Sequence, residues 1–356
     1  MRRVVGRAVA GAIVAAFSVA GGVLVAGALV AGAAAQAAET CQMIKSDTLP
    51  VEMDGNQPLV KVAVNGHPVY FLVDTGSALS MILRSKAEEL DLPSFSGRNG
   101  TLVGVGGRSD IQGTRIKTFT LGKQTVTDMP LKLAGERRIG REDVVGLLGE
   151  DVFRKFDVEI DLAHNIINLY QPRGCDSAFL GFWAENAMTA DFRPVDWQAP
   201  SIVLDVTVGG KPVRAILDSG ATHSVLSLEA ASRAGVTPDT PGVVMGEKSE
   251  GIGAKLVQDW VGVFDGFTLG DETIKRAKLR FSDLNGSASY ADAGSRTRFD
   301  TSGGPEMLLG ADFLRAHHVL IAHSQNRLYF TYNGGPVFQV TGPALRRASG
   351  ENADAN

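Results

Sequence analysis

The 356-residue sequence predicts a mostly β protein of two homologous lobes with a few short helices. Three observations carry this. An ordered set of strings occurs twice along the chain, apolar residues come in short alternating runs, and glycine, 42 in all, punctuates those runs where turns are needed. Two lobes of ordinary domain size fit the duplication, whereas a stacked repeat array needs at least three units.

The duplicated elements follow one order. Each copy opens with an alternating strand, a glycine turn and a proline: Pro58 to Pro68 in the first, Ser201 to Pro212 in the second. An apolar run then leads into Val73-Asp74-Thr75-Gly76-Ser77 or Leu217-Asp218-Ser219-Gly220-Ala221. Next come glycine loops, Gly104-Val105-Gly106-Gly107 and Gly251-Ile252-Gly253, and then Phe119 to Gly122 and Phe267 to Gly270. Gly146-Leu147-Leu148-Gly149-Glu150-Asp151 matches Met307-Leu308-Leu309-Gly310-Ala311-Asp312. The offset between copies grows from 144 at the aspartates to 161 at these last strings, so the second copy holds 17 more residues, assigned to the polar stretch Asp283 to Pro305. Both copies end in a hairpin pattern, Val158 to Tyr170 and Val319 to Phe330, aligned without gaps at the 161 offset. Short helices are expected at Ser85 to Leu92, Glu150 to Phe156, Ser227 to Gly235 and Ala311 to His317. The expected organisation is therefore an N-terminal segment 1–37, a first lobe 41–175, a linker 176–200, a second lobe 201–340 and a disordered tail 341–356. The linker is rich in aromatic residues, which argues for packing on a lobe.

The N-terminus bears on compartment. Arg2, Arg3 and Arg7 precede an uncharged run from Ala8 to Ala37, with Ala35-Gln36-Ala37 as a small-x-small cleavage site. The run also suffices for a membrane span, so it is either a cleaved export signal or an N-terminal membrane anchor. Both place the lobes outside the cytoplasm, in the periplasm or secreted. In that setting two cysteines, Cys41 and Cys175, favour a disulfide over two free thiols, clasping the ends of the first lobe. Removing residues 1–37 takes away three arginines and no acids, leaving 32 basic against 39 acidic side chains, a net charge of −7. No basic block interleaves with aromatics, so nucleic acid is excluded as a partner.

The paired strings resemble the retropepsin-like family of aspartic proteases, with Asp-Thr/Ser-Gly-Ser/Ala after an apolar strand and a later apolar-apolar-Gly segment. The likeness covers about residues 50–172 and 200–332, and the fused arrangement resembles pepsin. The resemblance implies two closed β-barrel-like lobes of the acid protease fold. It implies catalysis by Asp74 and Asp218, sharing one proton and activating a water. Two carboxyls at hydrogen-bond distance cannot both ionise, an effect for which the aspartic protease dyad is the standard case. Thr75 and Ser219 would brace the two loops through their hydroxyls, and Gly76 and Gly220 would leave room for the carboxylates. Gly104 to Gly107 and Gly251 to Gly253 fall where the family places its substrate-covering flaps. Ser77 against Ala221 is the one chemical asymmetry between the strings. By resemblance the Ser77 hydroxyl would stabilise an ionised Asp74, leaving Asp218 protonated.

Other chemistries find no support. His317, His318 and His323 lack a fourth ligand and no His-Glu-x-x-His string occurs, so no metal or other cofactor is expected. His223 follows the second aspartate string, but no serine or cysteine nucleophile is marked out for it. Gly104 to Gly107 lacks the third glycine of a dinucleotide fingerprint. The expected function is an exported, monomeric aspartic endopeptidase acting on extended polypeptides. The alternative is a non-catalytic peptide-binding or scaffold protein on the same two-lobe fold.

Overall fold

The structure is a computed structural model and describes residues 40–104, 107–135, 139–195, 201–249, 256–284 and 305–340. The N-terminal segment, the tail 341–356, the insertion over 285–304 and the linker's last five residues lie outside the described residues.

The first lobe is built from β1 (Gln42–Asp54), β2 (Gln57–Val64), β3 (His67–Val73), β4 (Met81–Leu83), β5 (Phe95–Gly104), β6 (Gly107–Leu121), β7 (Gln124–Ala134), β8 (Val144–Leu148), β9 (Asp157–Asp161) and β10 (Ile166–Arg173). Six of these strands pair in a closed ring, β2-β3-β8-β4-β7-β6 and back to β2. The apolar run Phe71-Leu72-Val73 ends β3 and is buried. It lies parallel to β8, whose five residues are all buried. Strands covered on both faces read as continuous apolar runs, and this explains why the segments next to the aspartate lack alternation.

The second lobe repeats the ring with β12 (Val203–Val208), β13 (Lys211–Leu217), β14 (Val225–Ser227), β16 (Val257–Leu269), β17 (Glu272–Ser282) and β18 (Met307–Leu309), while β15 (Val244–Ser249) extends it as an edge. Here β13 runs parallel to β18, with Leu217 opposite Leu309. Four short helices stand close to the expected places: α1 (Arg84–Glu89), α2 (Glu150–Phe153), α3 (Leu228–Arg233) and α4 (Ala311–Ala316). Expectation and structure differ at the C-terminal ends. His317, read as helical, begins β19 (His317–Ala322), and its ring Nδ1 lies 2.8 Å from Phe313 O.

The terminal hairpins join the lobes. Strand β19 pairs with β20 (Arg327–Tyr332) and, on its other side, antiparallel with β9. Six strands thereby form one layer, β11-β20-β19-β9-β10-β1, with β11 (Met188–Asp191) supplied by the segment expected as linker. That segment is packed through Trp183 as well, which stacks on His318 at 4.1 Å and donates from Nε1 to Thr331 Oγ1. In the β9–β19 register Glu159 faces Leu320, the residue 161 positions on, so the pseudo-twofold relation between halves passes through this pair. Cys41 and Cys175 are joined by a disulfide beside the Gln42–Arg173 end of the β1–β10 pair.

Candidate active site

Asp74 and Asp218 each occupy the first position after a buried strand, and the neighbouring parallel strand pins each one. Asp74 N–H donates to Leu148 O and Asp218 N–H donates to Leu309 O, both at 2.9 Å. The two loops meet at the lobe junction through four hydrogen bonds with full reciprocity. Thr75 Oγ1 donates to Leu217 O at 2.8 Å and accepts from Ser219 N at 3.0 Å. Ser219 Oγ donates to Val73 O at 2.7 Å and accepts from Thr75 N at 3.0 Å. Both side chains are fully buried, so each hydroxyl crosses the junction and satisfies a backbone donor and acceptor that water cannot reach.

This clamp brings the carboxyls into hydrogen-bond contact with one another. The glycines permit it: a Cβ on Gly76 would stand within 2.7 Å of Asp218 Cγ and both its carboxyl oxygens, and a Cβ on Gly220 within 2.8 Å of the same atoms of Asp74. Each glycine therefore makes room for the opposite lobe's aspartate. Burial, then the Asp218 charge and the hydrogen bond between the carboxyls, hold Asp74 well above the ordinary carboxylate range. Burial also raises Asp218, but the backbone N–H groups of Ala221 and Gly220 at 3.0 Å and the bond from Asp74 pull it back. Both carboxyls are thus held above the ordinary range, and one proton is shared by the pair rather than belonging to either residue.

The Ser77 hydroxyl does not take the part expected of it beside Asp74. It donates to Leu79 O at 3.0 Å, so it gives Asp74 no proton; only Ser77 N–H reaches Asp74 Oδ1, also at 3.0 Å. A serine in a tight loop often satisfies a nearby backbone carbonyl, and that local partner wins here. Ala221 supplies the equivalent backbone contact to Asp218, so the asymmetry in side chain carries no asymmetry in donors from this position.

A second tier of paired residues supports the loops, and sequence reasoning gave it no role, although Asp151 and Asp312 stand in the repeated strings. Ser80 Oγ donates to Asp151 Oδ1 at 2.7 Å and accepts from Gly149 N at 3.0 Å. In the other lobe Ser224 Oγ donates to Asp312 Oδ1 at 2.6 Å and accepts from Gly310 N at 2.9 Å. These bonds tie each aspartate loop to the Leu-Leu-Gly segment. The signal was available: both serines lie six residues after their aspartate, and both supporting acids lie two residues after the glycine. Burial raises Asp312 to about 6 despite its four donors.

Of the flap residues, Gly104 and Gly107 face each other where β5 meets β6. Val105, Gly106, Gly251, Ile252 and Gly253 lie outside the described residues. His223 is held neutral, pushed down to about 4 by burial and the Arg280 charge.

Two carboxyls sharing a proton, glycines that admit them and hydroxyls that lock two lobes together define an aspartic-protease type of site. Residues 60–152 and 204–313, more than half of the chain, match the model of the aspartyl protease family. The chain belongs to that family. No curated protein matches it. Among solved structures it is similar to the aspartic proteinase from Irpex lacteus, with 15% identity, a TM-score of 0.46, and coverage of 80% of this chain and 96% of that one.

Proposed function

We propose that the chain is an aspartic endopeptidase that hydrolyses peptide bonds with a water held between Asp74 and Asp218, acting outside the cytoplasm as a monomer. The observation that carries this reading is the buried, mutually hydrogen-bonded carboxyl pair at the ends of two equivalent loops. Asp218 takes a proton from the water as its oxygen attacks the peptide carbonyl carbon, while Asp74 gives its proton to the carbonyl oxygen. The resulting gem-diol collapses with C–N cleavage. Asp218 then protonates the departing nitrogen, and Asp74 regains its proton from a diol hydroxyl, which restores the starting state.

A polypeptide lying extended between the lobes suits this chemistry, since main-chain pairing supplies affinity and side-chain pockets supply selectivity. Export is supported by the arginines and uncharged run of the N-terminal segment, which serves as cleaved signal or membrane anchor, and by the Cys41–Cys175 bridge. Incubating the purified protein with a peptide library and mapping products by mass spectrometry tests the proposal. Cleavage lost in Asp218→Asn supports it; binding of peptides without cleavage by the unaltered protein overturns it in favour of a peptide-binding role.

A further inference from the structure

The pseudo-twofold relation predicts that contacts at the lobe junction come in matched pairs, and one position breaks the match in chemistry. Glu150 opens α2 in the first lobe and His323 follows β19 in the second. Their side chains are 1% and 8% exposed, and Glu150 Oε2 lies 3.5 Å from His323 Nε2. Both carboxyl oxygens of Glu150 and Nε2 of His323 have no hydrogen-bond partner among the described residues. At the 161-residue offset the corresponding positions are Ala311 and Leu162, both buried. The fold fills one of these two equivalent places with apolar side chains, so it does not require an acid and a base in the other. An unpartnered buried carboxyl and imidazole are costly to keep.

We propose that the Glu150–His323 contact is a pH-sensitive lock between the lobes, closed while acid and imidazole are both neutral and released when either ionises. The lock adjoins the site, because Glu150 N–H donates to Ser77 O at 2.9 Å and Ser77 N–H donates to Asp74. The surroundings supply little compensation for a charge. Burial dominates Glu150 and raises it to about 8, with Arg154 opposing weakly and Asp151 adding to the rise. Burial alone lowers His323 to about 4. From β9, Asp157 faces the same turn, but its carboxylate is engaged by Ser324 N and Oγ at 2.9 and 2.7 Å. The Phe192 ring meets His323 edge-on at 5.8 Å and brings no charge.

The two titrations oppose each other over part of the range. The Glu150 contribution is fully present below its ordinary value of 4.5 and is lost as pH rises towards about 8. The His323 contribution is fully present above 6.5 and is lost as pH falls towards about 4. Between 4.5 and 6.5 the two slopes cancel, so the lock gives a plateau with a fall on either side. Each uncompensated slope is about tenfold in the folding constant per pH unit.

Unfolding constants from guanidinium titrations of the purified protein between pH 4 and 9 test this, read as differences between variants so that other buried carboxyls cancel. Relative to Glu150→Gln, the unaltered protein is expected to lose stability with rising pH up to about 8. Relative to His323→Leu it is expected to lose stability with falling pH down to about 4. The double variant Glu150→Ala with His323→Leu installs the residues of the matched apolar positions, Ala311 and Leu162, which keeps the test alive if a single variant does not fold. It should remove both slopes. Protection factors for amide exchange at Ser324 and Gln325, which take out the intrinsic rise of exchange with pH, should fall between pH 7 and 9 in the unaltered protein and stay level in the double variant. Curves that run parallel across all variants, or protection factors with the same pH dependence in both proteins, would overturn the lock.

Discussion

The two lobes hold their aspartates by the same backbone bond, the same hydroxyl clamp and the same serine–aspartate tie, yet they differ in how each is closed. The first lobe carries a disulfide between its ends and the titratable Glu150 beside its aspartate loop. The second has neither: its C-terminal end is held by Gln339 N–H donating to Asp312 Oδ2 at 3.2 Å and by Phe338 packed edge-on against Phe267. What stayed alike through duplication is whatever fixes backbone at the junction, where one displaced atom misplaces both carboxyls. What diverged is peripheral closure, where covalent, polar and apolar solutions are interchangeable.

The largest test of this division removes a carboxyl. Asp74→Asn and Asp218→Asn should each lower peptide cleavage by a few thousand-fold or more, because members of an acid–base pair acting as a unit fail together. Losses that differ strongly between the two would break the equivalence of the lobes at the one place where it is required.

Closure should be asymmetric instead. Replacing Cys41 and Cys175 by serine frees a loop with a sequence separation of 134 residues, a loss of about 4–5 kcal/mol by the chain-entropy argument. Chemical unfolding with and without reductant measures it, and a change below 1 kcal/mol would place the first lobe's stability elsewhere.

Removing a clamp hydroxyl comes next in size. Thr75→Val deprives Leu217 O of a donor and Ser219 N–H of an acceptor in a buried site, and about 2–3 kcal/mol of stability should go with them. Ser219→Ala should cost a similar amount, since its two bonds mirror these. A ratio far from one between the two variants would show that the clamp is reciprocal in geometry but not in energy.

The smallest effect is expected at Ser77. With its hydroxyl on Leu79 O rather than on Asp74, Ser77→Ala should cost about 1 kcal/mol of stability and leave the acid limb of the pH–rate profile in place. An upward shift of that limb would return the hydroxyl to the carboxyl pair.

These contrasts separate what could be read along the chain from what could not. The duplication made the dyad, its glycines and its hydroxyl residues legible, because each is fixed by position within a repeated string. It also carried the helices to within a few residues. The Ser77 partner was not legible, since a serine beside an aspartate has several acceptors within reach and local backbone geometry chooses among them. Nor was the Glu150–His323 contact, whose members lie 173 residues apart and meet only because β9 and β19 pair across the halves. Repetition pointed away from it, as its matched positions are alanine and leucine.

The β9–β19 register bears on the halves taken separately. An isologous dimer of one half would pair a strand with its own copy, and the residue on the axis would then meet itself. For the first half that residue is Glu159, which in the intact chain is placed 2.7 Å from His318 of the other half. Two such acids would face one another with neither imidazole present. For the second half it is Leu320, a self-compatible apolar contact. Fusion has thus let the seam become heterologous in chemistry while remaining symmetric in backbone. Gene fission would leave one fragment able to find its own kind and the other dependent on its former neighbour.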